Sequence, residues 1–192
     1  IDGIAGVQGI VSGATIAAAG TVIGMPAAIV VGIVLASACA AFLSFNVTPA
    51  KMFMGDVGSY SIGFVLVAVA VSDARLAVPV VFSLGVFLFD TTLTLVRRIW
   101  RGECWYKAHR SHFYQRAVRT GLSHMQVTVG VGIAGVVLGS MGVVFGMVSP
   151  KVQVVLIACA VVLLITGVVV VMRREHAMAV SHQKSGSGEE IS

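Results

Sequence analysis

Pro49-Ala50-Lys51-Met52-Phe53-Met54-Gly55-Asp56-Val57-Gly58-Ser59 sets one carboxylate in a short polar turn between two long apolar runs. An acid beside a membrane helix is costly unless it has a partner or a task. Gly55 and Gly58 flank Asp56 and let a ligand approach the backbone closely. If a helix begins here, the N–H groups of Val57, Gly58 and Ser59 face its open end, an arrangement that suits an anion. Asp56 can equally serve as an N-cap, and from the residues alone both readings stand. A second polar segment, Lys107 to Arg119, reads KAHRSHFYQRAVR and also lies between apolar runs. His109 and His112 are three apart with Arg110 between them, so on a helix the two histidines share a face. No third metal ligand is near. A His/Arg set suits a pyrophosphate better than Zn²⁺, although a basic loop meeting anionic lipid has the same composition. The two segments point to chemistry at one face of a bilayer, on an anionic substrate.

Three acids are candidates on that face. Asp2 stands at the start of the first apolar run, Asp56 at the start of the third, and Asp90 near the end of the fourth, within VVFSLGVFLFDTTLTLVRRIW. Asp2 and Asp56 together fit Mg²⁺, which takes one or two carboxylates and completes its shell with waters and phosphates. Asp90, Thr94, Arg97, Arg98 and Arg101 fall on one helix face. The arginines read best as topology signals. Asp90 is either part of a polar path or an acid held by a neighbouring helix. A rival function follows from it: half of a transporter or channel, with Asp90 as an intramembrane ion or proton site. Such proteins gather their polar residues near mid-membrane, and only Asp90 leans that way. In a purely structural membrane subunit all these groups would be caps and topology signals.

The elements that must position these residues are membrane spans. The chain of 192 residues is 57% hydrophobic and 11% charged, against about 25% charged in soluble domains; its mean hydropathy is +0.98. Apolar runs near twenty residues are long enough to cross a bilayer as helices. They do not alternate as the strands of a membrane barrel would. The expected fold is all-α, a polytopic transmembrane bundle of about six spans, over 4–24, 27–45, 58–72, 76–96, 125–148 and 152–172. Segments 46–57, 97–124 and 173–192 then share one side. That side holds 11 of the 13 Lys and Arg residues; Arg75 and Lys151 lie opposite. The positive-inside rule places the basic side in the cytoplasm. The net charge of +5 is therefore a topology signal, and no nucleic-acid motif accompanies it. Cys39, Cys104 and Cys159 have no metal-ligand spacing and imply no disulfide framework. Gly6, Gly9, Gly13, Ala17 and Gly20 form a small-residue stripe suited to close helix packing. Residues 1–172 are expected to form one membrane region. The polar, Gly/Ser-rich end, 173–192, is expected to be unstructured.

These residues together carry a resemblance. Ile1-Asp2-Gly3-Ile4-Ala5-Gly6 resembles the second half of the D-G-[IL]-D-G-[IL] loop of the polyprenyl-phosphate N-acetylhexosamine-1-phosphate transferases. Pro49 to Ser59 is similar to their P-A-x-x-F-M-G-D-x-G-S loop. Asp90 with Arg97-Arg98 and Gly102 resembles their D-x-x-x-x-x-x-R-R-x-x-x-G segment, and His109-Arg110-Ser111-His112 their D-R-x-H-[IL]-H-H loop. The likeness covers residues 1 to about 130. It implies transfer of a sugar-1-phosphate from a UDP-N-acetyl sugar to undecaprenyl phosphate, with release of UMP. It further implies Mg²⁺ (or Mn²⁺ in its place), a multi-pass protein of the bacterial inner membrane, a site on the cytoplasmic face, and room for a homodimer. By matching position, Asp56 is the metal-binding acid, Asp2 the second acid, and His112 with Arg110 the pair beside the donor diphosphate. Gly55, Ser59, His109 and Asp90 join them as substrate-binding candidates. Two departures stand out. His109 replaces the loop aspartate, and Phe113-Tyr114-Gln115 follows where the family has its His-His pair. This HRSHxYQR form is similar to the branch that initiates O-antigen, with 6-deoxy donors such as UDP-N-acetylfucosamine or UDP-N-acetylquinovosamine. The family's early D-D loop, and about five spans with it, would lie upstream of Ile1. The chain is thus expected to be the C-terminal half of a longer enzyme and inactive by itself.

Overall fold

The computed structural model describes residues 3–47, 49–102 and 113–189. Among them there are eight helices and no strand: α1 (Ile4–Ile23), α2 (Pro26–Asn46), α3 (Gly55–Ser72), α4 (Ala74–Ser83), α5 (Gly85–Trp100), α6 (Phe113–Arg119), α7 (His124–Phe145) and α8 (Pro150–Glu189). Five are long and apolar enough to cross a membrane. α4 and α5, bent by 68° at their junction, count as a sixth span if taken together. The all-α polytopic bundle is therefore the fold. The chain crosses back and forth, so the start of α1, the start of α3, the end of α5, α6 and the start of α7 share one side.

α1 is the hub. It packs along α2 and also against α7 and α4, and 56% of its span is buried, against 6% for α8. The small-residue stripe explains this. A Cβ added at Gly13 would stand 2.6 Å from the backbone nitrogen of Ala36, and one at Gly32 would stand 2.5 Å from that of Ala17. At Gly20 it would meet the Ile29 nitrogen at 2.9 Å. The backbones of α1 and α2 touch because neither carries a side chain there. Ile16, Leu35, Leu66, Leu76 and Val80 complete the core between α1, α2, α3 and α4.

The fourth predicted segment, 76–96, differs from expectation. It is not one straight helix but the bent pair α4–α5. Pro79 sits inside α4, where it removes a helical N–H, and Gly85 opens α5. The break is stitched from outside. Gln8 of α1 donates from Nε2 to the Ser83 carbonyl at 2.9 Å and to Ser12 Oγ at 2.9 Å. Ser83 Oγ lies 3.1 Å from Ser12 Oγ and donates to the Val80 carbonyl. All three residues are buried. α8 also runs past the predicted span end at 172, into the segment expected to be unstructured, as far as Glu189. From Arg173 to Lys184 it contains neither glycine nor proline, and most of these residues tolerate a helix well.

Candidate active site

The turn before α3 is built on Gly55. Its φ of 64° is left-handed backbone, open to glycine and costly for other residues. From there the chain turns directly into α3, three residues earlier than the predicted start at 58. This corrects the capping reading of Asp56. The N-cap is Met54, with no side-chain cap bond, and Asp56 lies in the first turn. A carboxylate there meets the positive end of the helix dipole. The unpaired N–H groups of a helix belong to its first four residues, which here are Gly55 to Gly58 and exclude Ser59. The Ser59 hydroxyl is turned inward along the helix and donates to the carbonyls of Gly55 and Asp56, each at 3.1 Å. Asp56 itself is exposed.

Asn46, which carried no role in the sequence reading, joins the two motif loops. It closes α2 and is 6% exposed. Its Oδ1 accepts the Gly3 N–H at 2.8 Å, next to Asp2 in the chain, and its Nδ2 donates to the Met52 carbonyl at 2.7 Å, four residues before Asp56. The backbone repeats the link: the Phe45 carbonyl accepts from the N–H groups of Lys51 and Met52, at 2.8 and 3.1 Å. One buried amide therefore holds the start of the DGIAG loop against the turn that carries Asp56. The signal in sequence was an amide at the very end of an apolar run, immediately before the polar turn.

Asp90 is 7% exposed and serves as a tether. Its Oδ1 accepts the Phe113 N–H at 2.8 Å and the Thr94 hydroxyl at 3.3 Å. It thereby pins the first residue of α6 to α5. Of the two readings left open for Asp90, this favours an acid held by a neighbouring element. Asp2, His109, Arg110 and His112 lie outside the described residues.

The arginines read as topology signals gather at the same end. Arg97, Arg98 and Arg101 of α5 and Arg116 and Arg119 of α6 line a cavity of about 330 Å³ with Glu175 of α8. Arg116 donates from Nε to Glu175 Oε1 at 2.7 Å and from Nη2 to Oε2. The guanidinium carbons of Arg97 and Arg116 stand over the Phe113 ring, 4.9 and 4.8 Å from its centroid. Among the described residues no three His, Cys, Asp or Glu side chains gather as a metal site. Asp56, one exposed carboxylate beside unpaired helix N–H groups, has the donor chemistry of a Mg²⁺ ion shared with a phosphate ligand. It does not have that of a closed structural centre.

Known proteins match this arrangement in sequence. Residues 1–73 match the family described as glycosyl transferase family 4. The chain is 28% identical over 151 residues to a probable undecaprenyl-phosphate N-acetylglucosaminyl 1-phosphate transferase of Bacillus subtilis, covering 75% of this chain and 42% of that protein. It is 32% identical over 117 residues to a decaprenyl-phosphate N-acetylglucosaminephosphotransferase of Mycobacterium tuberculosis, covering 52% of this chain and 29% of the relative. It is 33% identical over 114 residues to a phospho-N-acetylmuramoyl-pentapeptide-transferase of Bacillus pumilus, covering 58% and 34%. No solved structure matches. The chain spans less than half the length of these curated relatives. The DGIAG loop and the Asp56 turn both lie inside the region that is similar to glycosyl transferase family 4, and the relatives are polyprenyl-phosphate sugar-phosphate transferases by name.

Proposed function

We propose that the protein containing this chain transfers an N-acetylamino-sugar-1-phosphate from a UDP-sugar to undecaprenyl phosphate, releasing UMP, and so begins a cell-envelope polysaccharide such as O-antigen. The reaction takes place at the cytoplasmic face of the bacterial inner membrane. The observation that carries the reading is the Asn46 clamp, which brings the backbone beside Asp2 to the turn bearing Asp56. The match of residues 1–73 to the family model and the names of the relatives support it. The membrane setting supports a lipid acceptor, and the 11-to-2 division of Lys and Arg supports the cytoplasmic face.

In this reading Asp56 is a ligand of Mg²⁺, with Asp2 the second acid of the pair. The bound ion supplies charge neutralisation at the donor pyrophosphate as UMP leaves. The N–H groups opening α3 face the same anion. Arg110 and His112, with His109 beside them, hold the donor diphosphate by charge-assisted hydrogen bonds. The Asp90 bond to Phe113 fixes the first residue of α6, which follows His112 in the chain. The lipid phosphate attacks the β-phosphorus of the donor, and the bond to UMP breaks. Asp90 as an ion pathway loses ground to this reading, because its carboxylate anchors α6.

The test is Asp56→Asn in the full-length protein. Asn is nearly isosteric and leaves the first turn of α3 intact. UMP release in the presence of undecaprenyl phosphate, titrated with Mg²⁺, is expected to fall about a hundredfold or more, the scale of several kcal/mol of lost transition-state stabilisation. Helicity and membrane insertion should be unchanged. Near-normal turnover at ordinary Mg²⁺ would remove Asp56 from the metal site.

A further inference from the structure

The membrane span of α8 is loosely packed. Of its residues 6% are buried, and a cavity of about 310 Å³ lies between its Leu163, Leu164, Val168 and Val171 and the side chains of Phe87 and Val127 on α5 and α7. Past the apolar run the helix holds the bundle in another way. Met172, Glu175 and Met178 follow at intervals of three and so share one helix face. Each meets a different element. Met172 Sδ accepts from Arg97 Nη2 of α5 at 3.4 Å. Glu175 takes the two-pronged guanidinium of Arg116 on α6. A Cβ added at Gly121, in the turn between α6 and α7, would stand 3.2 Å from Met178 Cε. The polar end of α8 is a splint laid across the other three helices.

The middle of the splint bears on α6. With seven residues, α6 is too short to stand as a helix by itself, so its neighbours set its position. Asp90 holds the Phe113 N–H. The Phe113 ring carries the guanidinium groups of Arg97 and Arg116. Ala117 packs with Ile4, the residue after Gly3, whose N–H is bound by Asn46. α6 therefore touches the start of the DGIAG helix, and its first residue follows His112 in the chain. Arg116 is where these holds meet, since it covers Phe113 and is itself anchored by Glu175. A partly exposed ion pair adds little to stability, but a two-pronged one fixes orientation.

We propose that Glu175 is a positioning residue for the sugar donor: by anchoring Arg116 on Phe113 it sets the placement of α6 at the functional face. Glu175 touches neither substrate nor metal and acts through Arg116. The inference rests on the transferase reading, in which Arg110 and His112 hold the donor diphosphate.

UDP with Mg²⁺ is the probe, because it carries the donor's diphosphate whichever sugar is transferred. Its binding to the full-length protein is measured by calorimetry, and binding of undecaprenyl phosphate by native mass spectrometry. Glu175→Gln is expected to weaken UDP binding about tenfold, within the usual range of coupling between separate sites, and to leave undecaprenyl phosphate binding and the thermal midpoint unchanged. Glu175→Asp should keep part of the affinity. Arg116→Gln should match Glu175→Gln, and the double variant should be no worse than either, as expected of residues acting through one contact. Asp73→Asn, which breaks the ion pair with Arg75 on the opposite face, should change nothing. Normal UDP binding by Glu175→Gln would overturn the proposal. So would equal weakening of UDP and undecaprenyl phosphate, which would make the fork a general brace, and so would additive losses in the double variant. An unaltered protein that binds no UDP would overturn the transferase reading and this inference together, whereas UDP binding that is indifferent to Glu175 overturns this inference alone.

Discussion

Two polar clusters lie in this bundle and they are opposites. In the first, Gln8, Ser12 and Ser83 are buried where α1 meets the bend between α4 and α5, and each donates or accepts within the group or to nearby backbone. In the second, five arginines converge on one glutamate at the membrane boundary. Both concentrate polar atoms in an apolar protein, but the first is uncharged and enclosed, whereas the second is charged and includes the exposed Arg101 and Arg119. A closed set rigidifies a fold. The Asn46 clamp belongs with the first kind, although it lies at the functional face.

Breaking the closed cluster should have the largest effect on stability. Gln8→Leu leaves the Ser83 carbonyl and Ser12 without their donor in a buried place, and is expected to cost about 1–3 kcal/mol. Thermal unfolding in detergent measures this. A stability change below about 0.5 kcal/mol, the usual range for inert surface positions, would show that the bend holds without its amide. Asn46→Ala comes next. Membrane hydrogen bonds average nearer 0.6 kcal/mol each, so losing two should cost on the order of 1 kcal/mol, while UMP release falls far more than stability because the motif loops lose their register. Equal losses of stability and activity would reduce Asn46 to a packing residue. The smallest effect, and one of opposite sign, is expected of Arg101→Gln with Arg119→Gln in lipid-free detergent. Relieving like charge should leave unfolding unchanged or raise its midpoint slightly. Marked destabilisation would mean that the arginines, like Gln8, are already satisfied.

The contrast also explains what could be read in the chain beforehand. The Gly-Asp-Val-Gly-Ser turn was legible because its residue types are local and unusual between apolar runs. The stripe Gly6, Gly9, Gly13, Ala17, Gly20 was legible because helical spacing puts it on one face. The Asn46 bond to Gly3 closes over 43 residues, and the Gln8 bond to Ser83 over 75. An isolated amide in an apolar run does not announce a backbone partner that far away. The bend was hidden because hydropathy is continuous from α4 into α5; Pro79 was its one mark. The arginines were visible one at a time, and the orientation rule explained each of them singly. Their convergence became apparent only when α6 and α8 were packed, since Glu175 pairs 59 residues away. The start of α3 was misplaced by three residues because Gly55 reads as a loop residue, whereas here its positive φ is how the helix begins.

The bend has a mechanical side. α4 is locked into the core, whereas α5, 16 residues and about 24 Å long at 1.5 Å per residue, is steadied beyond the bend by α7, α8 and the Asp90 bond to Phe113. A rotation of about 5° at its root would displace its tip by ~2 Å, using the same helical rise. That is enough to take a guanidinium out of hydrogen-bond range of a partner. The precision with which Arg97, Arg98 and Arg101 are presented is therefore set at two points, at the root by one glutamine from another helix and partway along by Asp90.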